Sequence, residues 1–136
     1  MISRKSCLIS FHFWREFLVL MVINKFEDLI CWQKGQDLAV KVYGKFKESK
    51  DWGFRDQICK AVVSVSNNIA EGFDRGSDAD FTRFLYYSIG SASETKSMLY
   101  LAQKLDYIDS EDMLTLVTQA DEVSKIIRGL IKSLNK

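Results

Sequence analysis

The chain has 136 residues, 47% of them hydrophobic and 27% charged, with 19 basic and 18 acidic side chains and a net charge of +1. That length suits one domain with a real core, and the near-neutral balance argues against a dedicated binder of phosphate backbones, which carries a marked basic excess. Proline is absent and glycine numbers only 7, which excludes collagen-like, proline-rich and low-complexity classes and favours long helices.

Residues 1–20 read as a doubtful N-terminal extension, and residues 21–136 as the folded domain. The opening MISRKSCLISFHFWREFLVL is apolar and aromatic, but Arg15 and Glu16 interrupt it. No small-residue cleavage site follows, as a signal peptide would require. Its longest apolar run, Phe17 to Ile23, falls far short of the ~20 residues that span a bilayer. The expectation is a cytoplasmic protein, outside the membrane, whose natural start is Met21. Without the extension 16 basic and 17 acidic residues remain, a charge of −1, and His12 is lost. Cys7, Cys31 and Cys59 form no paired pattern. They read as reduced thiols, with Cys31 and Cys59 packed as small hydrophobes.

A first helix is predicted from about Phe26 to Lys47. Leu29, Trp32, Gln36, Ala39, Val42 or Tyr43, and Phe46 recur at spacings of three and four, the mark of one helical stripe. Glu27 and Asp28 would occupy its first turn and Lys45 and Lys47 its last, both complementing the helix dipole. Ser49 to Gly53 reads as a loop. A second helix, from about Phe54 to Ala70, carries the stripe Ile58, Ala61, Val62, Val65 and Ile69. Gly72 looks like its C-terminal breaker.

The third helix is the clearest. Ser77 to Asp80 resembles an N-cap with an acidic N3 residue. From there the pattern runs unbroken to Leu105, about 28 residues or ~42 Å at the α-helical rise. Phe81, Phe84, Leu85, Ser88, Ala92, Thr95, Leu99 and Ala102 mark one face. Small residues surround Ile89 at its centre, and Gly90, costing ~1 kcal/mol against alanine, is expected to have a packing reason. After a short connection, Asp109 or Ser110 caps a fourth helix. Its stripe is Met113, Leu116 or Val117, Ala120, Val123, Ile127, Leu130 and Leu134. Four amphipathic helices joined by short loops predict an all-α, antiparallel up-down four-helix bundle.

Polar residues cluster at the end of the second helix, namely Ser66, Asn67, Asn68 and Glu71, with Arg75 beyond. A second group, Ser91 and Glu94, lies mid-way along the third. Antiparallel packing is expected to bring the groups to similar heights, with Asn68, Glu71, Arg75 and Glu94 as a structural salt-bridge and hydrogen-bond network. Satisfaction matters, because an unpaired buried polar group costs about 1–3 kcal/mol.

These residues carry a resemblance. Phe26-Glu27-Asp28-Leu29 with Trp32-Gln33-Lys34, Ala61-Val62-Val63-Ser64 with Asn68-Ile69-Ala70-Glu71-Gly72, then Arg75, Phe84-Leu85, Gly90-Ser91, Glu94 and the Leu130-Ile131-Lys132 tail resemble the four-helix-bundle family encoded in intervening sequences of bacterial 23S ribosomal RNA genes. The match spans about Phe26 to Leu134. The N-I-A-E-G stretch and the later G-S-x-x-E are specific in combination. The resemblance implies a cytoplasmic bacterial protein, no known catalytic activity, and a ring-shaped homo-oligomer, a pentamer by family pattern. Two positions depart from it. Cys59-Lys60 replaces a pair of basic residues, which weakens nucleic-acid contact from the second helix. Ser66 stands where the family often has proline, which suggests a straighter helix.

An enzyme reading has little to use. Neither Glu71 nor Glu94 has a histidine three residues on, as di-iron bundles require. No Walker loop, G-x-S-x-G or Cys–His pair occurs. No catalytic residue, cofactor or metal is expected. A nucleic-acid reading, for RNA or DNA, rests on Lys34, Lys41, Lys45, Lys47, Lys50 and Arg55 as one weak patch, which a ring would multiply through avidity. The alternative is an accessory subunit that contacts proteins and not nucleic acid. Second apolar stripes support self-association: Ile30, Leu38 and Val40, then Tyr86, Tyr87 and Ile89, then Leu114, Ile126 and Ile131. Arg75 and Glu94 are candidates for charge pairing at such a contact.

Overall fold

The computed structural model describes residues 23–135. The expectations for residues 1–20 and for Met21 as the start fall outside them. After a short 3-10 turn at Phe26–Asp28 come four helices: α1 (Ile30–Phe46), α2 (Trp52–Phe73), α3 (Asp78–Lys104) and α4 (Ser110–Leu134). No strand occurs among the described residues.

Cross-helix partners run in opposite directions at every junction. Gln36 reaches Ser66 while Phe46 meets Phe54. Ser88 reaches Val65 while Gln57 reaches Glu94. Lys34 pairs with Glu122 and Lys45 with Asp112. Each helix packs on its neighbours in sequence, and α1 closes the square against α4. This is the up-down bundle predicted.

The α3 prediction holds residue for residue: all eight positions of its stripe are buried. Ser77 caps the helix by accepting from the Asp80 amide at 3.1 Å. Asp109 caps α4 the same way, from the Asp112 amide at 2.7 Å. Each cap satisfies an amide that the first turn leaves without a partner.

The first two helices differ from expectation. Leu29 is extended, at φ −76° and ψ 125°, so Glu27 and Asp28 belong to the 3-10 turn and not to α1. The buried stripe of α1 is Cys31, Gly35, Leu38, Ala39, Val42 and Phe46. Gln36 and Tyr43 face outward. The stripe is rotated because Leu38 and Cys31, both 1% exposed, enter the core. The second helix begins earlier than predicted, at Trp52. Asp51 caps it by accepting from the Phe54 amide at 3.1 Å and from the Tyr107 hydroxyl at 2.7 Å. The Tyr107 bond, and then the amide bond, hold the Asp51 carboxyl below the usual carboxylate range.

Gly72 does not end α2. It lies inside the last turn, where a Cβ would sit 2.5 Å from the Phe84 Cβ. Its role is close approach between α2 and α3. The left-handed turn residue is Gly76, at φ +95°, a conformation glycine adopts without steric cost.

Side chains of all four helices fill the core. The hydroxyls of its four buried polar residues, Ser66, Ser88, Thr95 and Ser133, each have a hydrogen-bond partner. Ser88, fully buried, donates to the Val65 carbonyl at 2.6 Å. Ser66, also fully buried, accepts from Gln36 at 2.9 Å. Cys31 and Cys59 are buried and free. Burial pushes the Cys31 thiol up to about 12 and raises that of Cys59. Native protein at pH 8 is therefore expected to leave both thiols unmodified by a thiol-specific reagent over minutes, with full reaction on unfolding. Rapid labelling of Cys31 in the folded state would contradict its placement.

Candidate functional site

The four polar residues of the expected network do not form one. Asn68 donates to the Ser64 carbonyl of its own helix at 2.8 Å. Glu71 pairs with Arg75 at 3.3 Å on the exposed end of α2. The Arg75 guanidinium also lies 4.8 Å from the Phe84 ring centre, a cation–π arrangement. Glu94 instead accepts from Gln57 at 3.4 Å. Gln57 and Glu71 are about four turns apart on α2, roughly 21 Å along the axis. The sequence reading placed the two polar groups at one height. The antiparallel register sets Glu94 opposite the start of α2 and Glu71 at its end.

The six basic residues divide similarly. Lys34 pairs with Glu122 and Lys45 with Asp112, each at 2.8 Å, which ties α1 to α4. The hydrogen bond to its carboxylate, then the opposite charge, raises each ammonium's pKa. Arg55 meets Asp56 at 3.3 Å. Lys41, Lys47 and Lys50 have no ion pair among the described residues. Lys41 shares the α1–α4 junction with Lys34, Asp37 and Glu122. Lys47 lies on the α1–α2 side, in a groove with Tyr43, Arg55, Asp56 and Lys60. The expected single patch is thus split between two faces of the bundle and interleaved with carboxylates.

The apolar second stripes are partly absorbed by the chain's own core. Leu38, Ile89 and Ile131 are buried, and Ile126 is half-buried. Ile30, Val40, Tyr86, Tyr87 and Leu114 remain exposed, Val40 by 72%. The small-residue centre of α3 and Tyr86, both marked by the sequence, belong to a longer outer ridge that extends to Ser97 and Tyr100. Tyr86, Gly90, Ser93, Ser97 and Tyr100 recur at intervals of four and three, which puts them in one line. All five are exposed, and among the described residues no atom outside the neighbouring turns of α3 lies within 4 Å of where a Gly90 Cβ would be. The packing reason expected for Gly90 is not found among the described residues. The same periodicity arithmetic that located the core face of α3 identifies this ridge on its opposite side.

No group of three or more His, Cys, Asp or Glu side chains placed to hold a metal occurs among the described residues. No described helix is long and apolar enough to cross a membrane.

Comparison with known proteins agrees with the bundle. One solved structure similar to this chain is described as a protein of unknown function from the S23 ribosomal protein family of Bacteroides thetaiotaomicron. It is 27% identical, has a TM-score of 0.72, and the alignment covers 76% of this chain and 99% of that one. A comparison with curated proteins finds no match. A family model described as 23S rRNA-intervening sequence protein matches residues 27–129. That span runs from the 3-10 turn through most of α4 and contains both the N-I-A-E-G stretch and the Gly72 contact, so the chain belongs to the 23S rRNA-intervening sequence protein family.

Proposed function

We propose that this protein is a non-enzymatic, self-associating binding or scaffold module that works as a ring-shaped homo-oligomer in the cytoplasm. The outer ridge of α3 carries this reading. Two exposed tyrosines flank a line of small residues around Gly90, in a helix where glycine costs about 1 kcal/mol. A second copy approaching that line would give Gly90 its packing reason and bury the tyrosine rings. Burial contributes roughly 25 cal/mol per Å² of apolar area before association costs. Head-to-tail repetition of such a contact gives a ring when the rotation between neighbours closes. Five subunits is the number suggested by the family resemblance.

Light scattering on chromatographed protein tests this. The natural sequence is expected as an oligomer at micromolar concentration. Gly90→Arg, which places a long charged side chain on the ridge, is expected to yield folded monomers. A monomeric natural protein would sink the proposal. A dimer would remove the ring and keep the interface.

Nucleic-acid binding is a second, weaker reading. It is favoured by Lys47 and Lys60, which make no ion pair among the described residues and share a groove with Tyr43. Filter binding with RNA and DNA at two salt concentrations should show weak retention at low salt and none at high salt. No retention at low salt would leave the protein-interaction reading alone.

A further inference from the structure

The junction of α3 and α4 holds a groove of about 350 Å³, in the size range of small-ligand sites. Its floor is apolar, formed by Ile89, Ala92 and Ala120. Its rim is polar and basic. Ser93 faces it from α3, and Ser124, Lys125 and Arg128 from α4. Lys96 also lines it, bonded to Asp121 at 2.8 Å.

This groove, like the α1–α2 groove of Lys47 and Lys60, carries more cations than carboxylates. Asp121 is the single carboxylate among the lining residues, and Lys96 neutralises it. The neighbouring carboxylates are directed elsewhere: Glu94 accepts from Gln57 on α2, and Glu122 pairs with Lys34 on α1. Lys125 and Arg128 make no ion pair among the described residues. They stand three residues apart on α4, so their heads serve one side of the groove. The result is two uncompensated cations and two hydroxyls above an apolar floor.

We propose that the α3–α4 groove binds a phosphate monoester carried on a flat, weakly polar body. A guanidinium fork and an ammonium suit a doubly charged group with several acceptor oxygens. The serine hydroxyls donate to the remaining oxygens. The body lies on Ile89, Ala92 and Ala120. The same chemistry is presented by a free nucleotide and by the terminal phosphate of a nucleic-acid strand. This proposal does not require self-association, although Ser93 also belongs to the α3 ridge, so a ring built on that ridge would abut the groove.

The test is calorimetric titration of the full-length protein, in the assembly it adopts, with adenosine monophosphate at low ionic strength. Saturable binding is expected at pH 7.5, with adenosine alone giving none. Arg128→Gln and Lys125→Gln are both at exposed positions, and together they should weaken binding at least tenfold while leaving the melting temperature unchanged. Affinity should also fall at pH 5, where a phosphate monoester with a second pKa of about 6 has lost one charge. A short 5′-phosphorylated oligonucleotide then distinguishes the sources. Competition with the nucleotide assigns the site to strand ends, and lack of competition assigns it to free nucleotides. Absence of adenosine monophosphate binding, or binding undiminished in the double variant, would overturn the proposal.

Discussion

Gly72→Ala is expected to destabilise the protein by about 3 kcal/mol, at the upper end of ordinary overpacking. The added Cβ would lie 2.5 Å from the Phe84 Cβ and 3.2 Å from Phe81 Cδ1. A Cβ is fixed to its backbone, so Phe84 cannot yield by changing rotamer. The ends of α2 and α3 must separate, and that disturbs the Arg75 contact over the Phe84 ring as well. Gly90→Ala is the informative control. Its Cβ meets no packed neighbour among the described residues, and it should raise intrinsic helix stability by about 0.5–1 kcal/mol. Urea unfolding at fixed protein concentration measures both. Equal and small effects at the two glycines would refute the close approach at Gly72. Loss of the oligomer in Gly90→Ala would place a second subunit against that glycine.

Phe81→Ala carries the other large effect, a loss of about 3–5 kcal/mol. Phe81 is fully buried and meets Phe73 edge to face with ring centres 5.6 Å apart. Truncation therefore removes both buried apolar volume and an aromatic pair, the latter worth about 0.5–1.5 kcal/mol beyond its area. Net stabilities of domains are only about 5–15 kcal/mol, so about a fifth or more of the total is at stake. Thermal unfolding followed by circular dichroism should show a midpoint lowered by roughly 10–20 °C. A shift of only a degree or two would mean that the α2–α3 turn contributes little to the core.

The contrast between α3 and α1 shows where sequence reading succeeds. On α3 the outward aromatic residues are tyrosines (Tyr86, Tyr87 and Tyr100), whose hydroxyls suit water, so Phe81, Phe84, Leu85, Ala92, Leu99 and Ala102 mark the core face, and Ser77 announces the start. On α1 hydrophobic residues lie on several sides. Cys31 with Leu38 and Leu29 with Trp32 define competing stripes about one residue apart. Local spacing cannot choose between them, because the choice depends on which side meets α2 and α4. The extended residue Leu29 was hidden for the same reason: nothing in Phe26-Glu27-Asp28-Leu29 excludes helix locally.

The expected polar network failed on register. Residue types showed that Glu71, Arg75 and Glu94 needed partners, and each has one. Which partner depends on how far α3 slides along α2, and the contacts of Gly72 with Phe81 and Phe84 decide that. The basic residues failed on azimuth. Lys34 and Lys45 face α4 while Lys47 faces α2, a division set by the rotation of α1 in the bundle.

Composition, hydrophobic period and capping residues by themselves determined an all-α chain of four helices, the core face of α3 and the starts of α3 and α4, because these depend on interactions within a few residues. Tertiary structure alone decided the rotation of α1, the height of Glu94 relative to Glu71, the division of the lysines, the close contact at Gly72 and the groove that joins Ser93 to Arg128. Each of these depends on helix-to-helix distance and register, which arise from packing of side chains far apart in the chain.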